Sequence, residues 1–167
     1  MDSGPRRLRV GEVRSTLAAL FGEKCWRVGT SYGDELKLDI GRKRPGRYYR
    51  ERLFGEWRLG CRASPWRFER IDSGEVIATS RQPLYAAMSR LKEIEGSRVV
   101  DVRISGRSLR LEVLLSSGVR MIVTPRAVGG DLAHWEVFGP RFVLAAGPGR
   151  RFTATRHVEP PRRTVRG

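Results

Sequence analysis

Six basic side chains, Arg42, Lys43, Arg44, Arg47, Arg50 and Arg52, surround the paired tyrosines Tyr48 and Tyr49 within a short stretch that follows Gly41. Guanidinium groups meet phosphate oxygens through two parallel donors, and tyrosine rings stack on unpaired bases. Interleaved in one surface loop, these residue types are what a nucleic-acid contact needs. The competing reading is a solvated loop whose tyrosines cover the edge of the core, because runs of charge are cheap to solvate. More arginines follow Gly147: Arg150, Arg151, Arg156, Arg162, Arg163 and Arg166. They would add phosphate contacts without sequence preference, each steepening the salt dependence of binding, or serve only as a solubilising tail. Arg6, Arg7 and Arg9 form a lesser basic group at the N-terminus.

Residue types suited to catalysis are sparse. There are two histidines, His134 and His157, too few for a His-rich metal centre, and His134 beside Trp135 reads as structural. G-x-S-x-G is missing and no base is placed for a Ser-His-Asp arrangement. Neither G-x-x-x-x-G-K-[ST] nor a strand-linked G-x-G-x-x-G occurs, and Gly147-Pro148-Gly149 is too short to cradle phosphate. Asp34, Glu35 and Asp39 alternate with apolar residues, which puts them on the solvent-facing side of a strand rather than in a carboxylate site. Cys25 and Cys61 lack a C-x-x-C spacing and are expected to be reduced and buried. The expectation is therefore a chain with no catalytic residue, no metal and no cofactor.

The elements that would position the basic loop can be read from periodicity. Val10, Val13, Leu17, Leu20 and Phe21 have helical spacing and end at Gly22; Leu84, Ala87, Met88, Leu91 and Ile94 repeat that pattern from Pro83 to Gly96. Strands are expected at Cys25–Val28, around Leu36, Leu38 and Ile40, around Trp57, Leu59 and Cys61, and around Trp66 and Phe68. In the second half they are expected around Val100, Val102 and Ile104; around Leu109, Leu111 and Val113; around Val119, Met121 and Val123; at Trp135–Phe138; and at Phe142–Leu144.

The two passes match. Ser15, Leu17, Leu20, Gly22, Trp26 and Val28 precede Ser89, Leu91, Ile94, Gly96, Val100 and Val102 by 74 positions. Leu36, Leu38 and Ile40 align with Leu109, Leu111 and Val113 if one residue is removed at the turn, and Trp66 aligns with Trp135. The reading is an α+β fold in which two helix-plus-antiparallel-strand repeats pack as one pseudo-twofold domain. Its parts are a basic N-terminal arm (1–9), repeat one (10–80), repeat two (81–146) and a basic, flexible C-terminal tail (147–167). Where repeat two turns tightly at Ser116-Ser117-Gly118, repeat one inserts the basic loop, and insertions of this kind sit on the surface and often carry function.

The formal net charge is +15, and arginine supplies most of it: only four of the 33 basic residues are lysines. Residues 1–60 hold 14 basic and 8 acidic side chains, residues 61–140 hold 12 and 9, and residues 141–167 hold 7 and 1. The excess lies toward the ends, and it favours a polyanionic partner. No apolar run reaches the roughly 20 residues of a membrane span, and no apolar stretch follows the N-terminus, so no membrane partner and a cytoplasmic location are expected.

Leu91-x-x-Ile94-x-Gly96, the run from Val99 to Val102, Leu109-x-Leu111, Ser117-Gly118 and Trp135 to Pro140 together resemble a group of uncharacterised small proteins from actinobacteria. The resemblance implies no catalytic residues. Some proteins of that group are encoded near toxins or defence systems, which implies a protein partner, and the insertion from Arg42 to Arg52 departs from the group's pattern. The leading expectation is a non-enzymatic nucleic-acid-associated protein that uses Arg42, Lys43, Arg44, Arg47, Tyr48, Tyr49, Arg50, Arg52, Arg150 and Arg151. The alternative is an immunity-like or adaptor protein that binds an acidic protein. An enzyme would need Asp34, Asp39 and His134 to converge in a cleft.

Overall fold

The glycines after each apolar helical run stop the helices where the spacing expects. In a computed structural model, which describes residues 4–31, 35–46, 50–62, 64–126 and 131–157, helix α1 spans Val10–Leu17 and α2 spans Leu84–Leu91. Each tightens into a 3-10 turn, at Ala18–Leu20 and Lys92–Ile94. Gly22 and Gly96 then take φ of 81° and 94°, where a side chain would be strained. Val13, Leu17 and Leu20 form the buried stripe of the first unit, and Ala87, Leu91 and Ile94 that of the second. At the start of α1 the Glu12 carboxylate accepts the Arg9 N–H at 2.7 Å and an Arg6 guanidinium hydrogen bond at 2.9 Å. Those bonds, the backbone one foremost, hold its carboxyl below the ordinary value.

The strands are β1 (Arg6–Leu8), β2 (Cys25–Ser31), β3 (Glu35–Pro45), β4 (Leu53–Cys61), β5 (Trp66–Arg70) and β6 (Val76–Thr79). In the second half they are β7 (Val99–Ile104), β8 (Leu111–Leu115), β9 (Val119–Val123), β10 (Trp135–Phe138), β11 (Phe142–Ala146) and β12 (Phe152–Arg156). They form two sheets, ordered β1-β12-β11-β10-β4-β3-β2 and β6-β5-β9-β8-β7, with antiparallel pairing throughout. The fold is thus α+β with antiparallel sheet predominant. Among the described residues no helix is long and apolar enough to cross a membrane.

Each sheet is assembled from both halves of the chain. The meander β2-β3-β4 takes up the hairpin β10-β11, while β7-β8-β9 takes up β5-β6. Trp135 stands opposite Cys61 at the first junction and Trp66 opposite Val123 at the second. The edge strands β2 and β7 meet through an isolated bridge between Lys24 and Arg98. Around it, Gly22 N–H donates to Val99 O at 2.8 Å and Gly96 N–H to Cys25 O at 2.7 Å. Cys25 N–H donates to Ser97 O and Val99 N–H to Glu23 O.

One apolar cluster draws on both sheets and both helices. Trp135, fully buried, ties the sheets together by donating its indole N–H to Leu109 O at 2.8 Å. Cys25 and Cys61 are free and buried, and desolvation pushes both thiols up to about 12.

Several expectations need correction. The boundary at residue 147 falls inside the larger sheet: β12 pairs with β11 on one side and β1 on the other, and Phe152 is buried against Trp135. Arg6–Leu8 of the arm and Phe152–Arg156 of the tail are therefore strands of the body; residues 1–3 and 158–167 lie outside the described residues. Leu109 does not begin a strand. It sits in a turn with φ of 58°, and pairing starts at Leu111 opposite Ile104. The register therefore matches Leu36, Leu38 and Ile40 with Leu111, Val113 and Leu115, because Val28 faces Leu38 as Val102 faces Val113.

Candidate nucleic-acid interface

The expected basic loop begins as strand: Arg42 to Pro45 belong to β3, and β4 opens at Leu53. Pairing of β3 with β4 continues past Ile40–Trp57 to Lys43–Gly55, Arg44–Phe54 and Pro45–Leu53. β2 pairs with β3 no further than Ile40, and β10 pairs with β4 only from Arg58 to Cys61. The last three pairs therefore form a two-stranded ribbon beyond the sheet. A bulge between Ile40 and Lys43 marks where it leaves, and two glycines make the bulge feasible. Gly41 has φ of 83°, and a Cβ on Gly55 would lie 2.5 Å from Ile40 N and 2.6 Å from Trp57 O.

The ribbon's root is held by charge and rings on the outer face of the sheet. Asp39, 2% exposed, accepts hydrogen bonds from Arg27 Nε at 2.7 Å and Gly55 N–H at 2.8 Å, and forms an ion pair with Arg58 Nε at 3.0 Å. Arg27 also donates to Leu53 O at 2.9 Å, bracing β4. Arg58 lies 4.6 Å from the centre of the Phe54 ring, and both Arg27 and Lys43 lie 4.8 Å from that of Trp26. Asp39 is thus a buried anchor for two arginines, not a residue on a solvent-facing edge. Further along the same face Lys37 lies flat over Gly60, 5.2 Å from the Phe138 ring and 3.9 Å from a Glu35 oxygen, and burial pushes its amine below the ordinary lysine value.

Of the expected contact residues, Arg42, Lys43, Arg44, Arg50 and Arg52 are exposed on the ribbon or at its end. Arg47, Tyr48 and Tyr49 lie outside the described residues. Arg44 bonds Glu56 at 2.9 Å; Arg42, Lys43 and Arg50 have no carboxylate within ion-pair reach among the described residues. On the smaller sheet the cations are matched: Arg67 and Arg120 share the buried Glu69, Arg103 meets Asp101 and Arg110 meets Glu112. Unmatched cations thus mark the ribbon but not the strands of the smaller sheet; outside those strands the exposed Arg81, Lys92, Arg107 and Arg126 also have no carboxylate within ion-pair reach among the described residues.

Arg150 and Arg151 do not join this group. They follow β11 at the end of the sheet where Ala146 and Phe152 flank Trp135 and Cys61. Cys61 and Gly55 are six positions apart on β4, about 20 Å at ~3.4 Å per residue. The ribbon end instead receives Arg141, which leads into β11, and Arg156, which closes β12 opposite Phe142. Both are exposed. The turn between them is fixed: Gly139 N–H donates to Phe142 O at 2.9 Å, His157 N–H donates to Arg141 O at 3.0 Å, and His157 Nε2 lies 3.0 Å from Gly139 O. Sequence reasoning missed Arg141 and assigned Arg156 to a loose tail, although the period-2 apolar pattern of Phe152 and Ala154 marked a strand. It also missed Trp26 and Phe54 as rings that meet the cations.

At the opposite end Ser64 Oγ and His134 Nδ1 are 2.9 Å apart and both groups are buried. This pairing was not legible in the sequence, 70 positions separating the two. His134 packs on Gly147, where a Cβ would come within 2.8 Å of the ring, and among the described residues no carboxylate bonds the imidazole. Asp39 is four rows away, paired with Arg58, so Asp39 and His134 do not converge; Asp34 lies outside the described residues. Among the described residues no group of three His, Cys, Asp or Glu side chains is placed to hold a metal ion.

No protein-family model, no curated protein and no solved structure matches this chain.

Proposed function

We propose that this chain is a non-enzymatic nucleic-acid-binding protein and that the β3–β4 ribbon is its contact surface. The observation that carries the reading is the ribbon itself: it leaves the sheet with Arg42 and Lys43, and with Arg50 at its end, having no carboxylate within ion-pair reach among the described residues. Cations held close together in excess of their acidic neighbours repel one another, and a row of phosphates relieves that repulsion while releasing counterions. A two-stranded ribbon is also one of the two shapes that fit the major groove. The connecting segment with Arg47, Tyr48 and Tyr49 belongs to the same contact by its composition. A cytoplasmic setting and kinship with the actinobacterial group complete the proposal. The competing partner is an acidic protein.

The body that carries the ribbon we infer to be an internal duplication. Supporting it are the helix, 3-10 turn and glycine stop recurring at an offset of 74, the reciprocal bonds of Gly22 with Val99 and Gly96 with Cys25, and the equivalent stations of Trp66 and Trp135.

The test is fluorescence anisotropy with labelled oligonucleotides over a salt series, comparing the protein with a variant carrying Arg42, Lys43, Arg44 and Arg50 changed to serine. Micromolar or tighter binding near 150 mM salt is expected, with a steep salt slope that is largely lost in the variant. If neither protein binds except at low salt, the reading fails and capture of an acidic protein partner becomes the explanation of the charge.

A further inference from the structure

Accepting that reading of the ribbon, we infer that its ligand is duplex rather than single-stranded nucleic acid, with Arg141 and Arg156 as a second phosphate contact beside the ribbon. Sequence-tolerant single-strand binding needs aromatic faces on which bases stack. At the ribbon's root the described rings are already engaged. Trp26 lies against Arg27 and Lys43, Phe54 lies against Arg58, and Trp57 meets Phe142 edge-on at 6.0 Å with Gly139 packed on its ring. A base that stacked on Phe54 would have to displace a guanidinium that is itself tied to Asp39.

What this end of the molecule offers instead is a line of cations across the strands. In sheet order it runs from Lys24 beside β2, through Arg42, Lys43 and Arg50 on the ribbon, to Arg141 at β11 and Arg156 at β12. β2 and β12 are five strand spacings apart, about 24 Å at ~4.8 Å each. From the ribbon's midline Lys24 is one and a half spacings away and Arg141 two and a half, about 7 and 12 Å. A ribbon seated in a major groove about 12 Å wide has a phosphate backbone on each side, and these flanking cations stand within side-chain reach of the two backbones. Of the described acids near the root of the ribbon, Asp39 and Glu56 are taken up by arginines, and Glu23 places its carboxylate 3.4 Å from the position of a Cβ on Gly41. Arg141 and Arg156 are carried on the turn fixed by Gly139 and His157, so little ordering is required to use them.

The experiment compares a duplex of about 20 base pairs with either of its strands, by anisotropy over a salt series, using the protein, the ribbon serine variant and an Arg141→Ser/Arg156→Ser variant. The protein is expected to bind the duplex about tenfold more tightly than the strand. The double variant, with an unchanged thermal midpoint, should weaken duplex binding about tenfold and reduce its salt slope by about 2, since each phosphate contact contributes ~0.9. Its affinity for the single strand should change by less than about twofold. Equal or tighter binding of the strand, or a double variant that binds duplex like the parent, overturns this inference and leaves the ribbon reading intact. If the protein binds neither form, the ribbon reading itself fails.

Discussion

Buried charge on this protein has two different roles. Asp39 is almost wholly buried yet faces Arg27 and Arg58, whose side chains are 40% and 30% exposed, and it also caps Gly55 N–H. Removing it leaves two cations and a backbone donor facing each other. Asp39→Ala is therefore expected to cost about 3 kcal/mol, at the low end for a broken buried pair because both arginines still reach water. Urea unfolding followed by tryptophan fluorescence checks it; a loss under ~0.5 kcal/mol would mean that the ribbon's root does not depend on this carboxylate. His134 is the opposite case, an imidazole kept neutral by burial beside Ser64. Its pKa in the folded state is below the ordinary 6.5, so the unfolded chain takes the proton first. The contribution it makes is fully present above pH 6.5 and is lost as the pH falls through the lowered value. Thermal midpoints between pH 7.5 and 5 should fall, and His134→Gln should flatten that dependence. An unchanged slope in the variant would assign the pH response to other groups.

The strands and helices differ in how plainly the sequence announced them. The helices, the Trp-bearing strands and the central hairpins follow from apolar periodicity, because each presents one face to a shared core. β1, β6 and β12 are short and lie at sheet edges or next to them, where half the side chains meet solvent and alternation is faint. The ribbon was misread for a related reason. Past Gly41 neither face of β3 is covered by the core, so Arg42, Lys43 and Arg44 lack the apolar partners that mark a strand, while backbone pairing with β4 persists. The site's composition was legible and its shape was not. Charge runs identified Arg42 to Arg52, but only the register brings Arg141 and Arg156 to that end and sends Arg150 and Arg151 to the other.

At the scale of the whole molecule, the exchange of hairpins between the halves decides that Arg141 and Arg156 share an end of the sheet with the ribbon, since β11 and β12 join β4 only through β10, which crosses from the second half. The same exchange has a consequence for how the chain reaches its native state. Neither sheet holds strands from one half alone, and the larger is closed at one edge by pairing residues near the two ends of the sequence, Arg6 with Ala154. A nascent chain that has emerged only as far as β6 has β2, β3 and β4 but lacks β10 to cover β4, while β5 and β6 have no β9 to join. The contacts that join the halves, β10 with β4, β5 with β9 and β1 with β12, therefore form late and over long loops, the situation in which folding takes milliseconds to seconds rather than microseconds. Denaturation monitored by far-UV circular dichroism and by tryptophan fluorescence should give one coincident transition, and a separable half would split it in two. During synthesis the first half then waits, with its apolar strands unpartnered, for the second to be made.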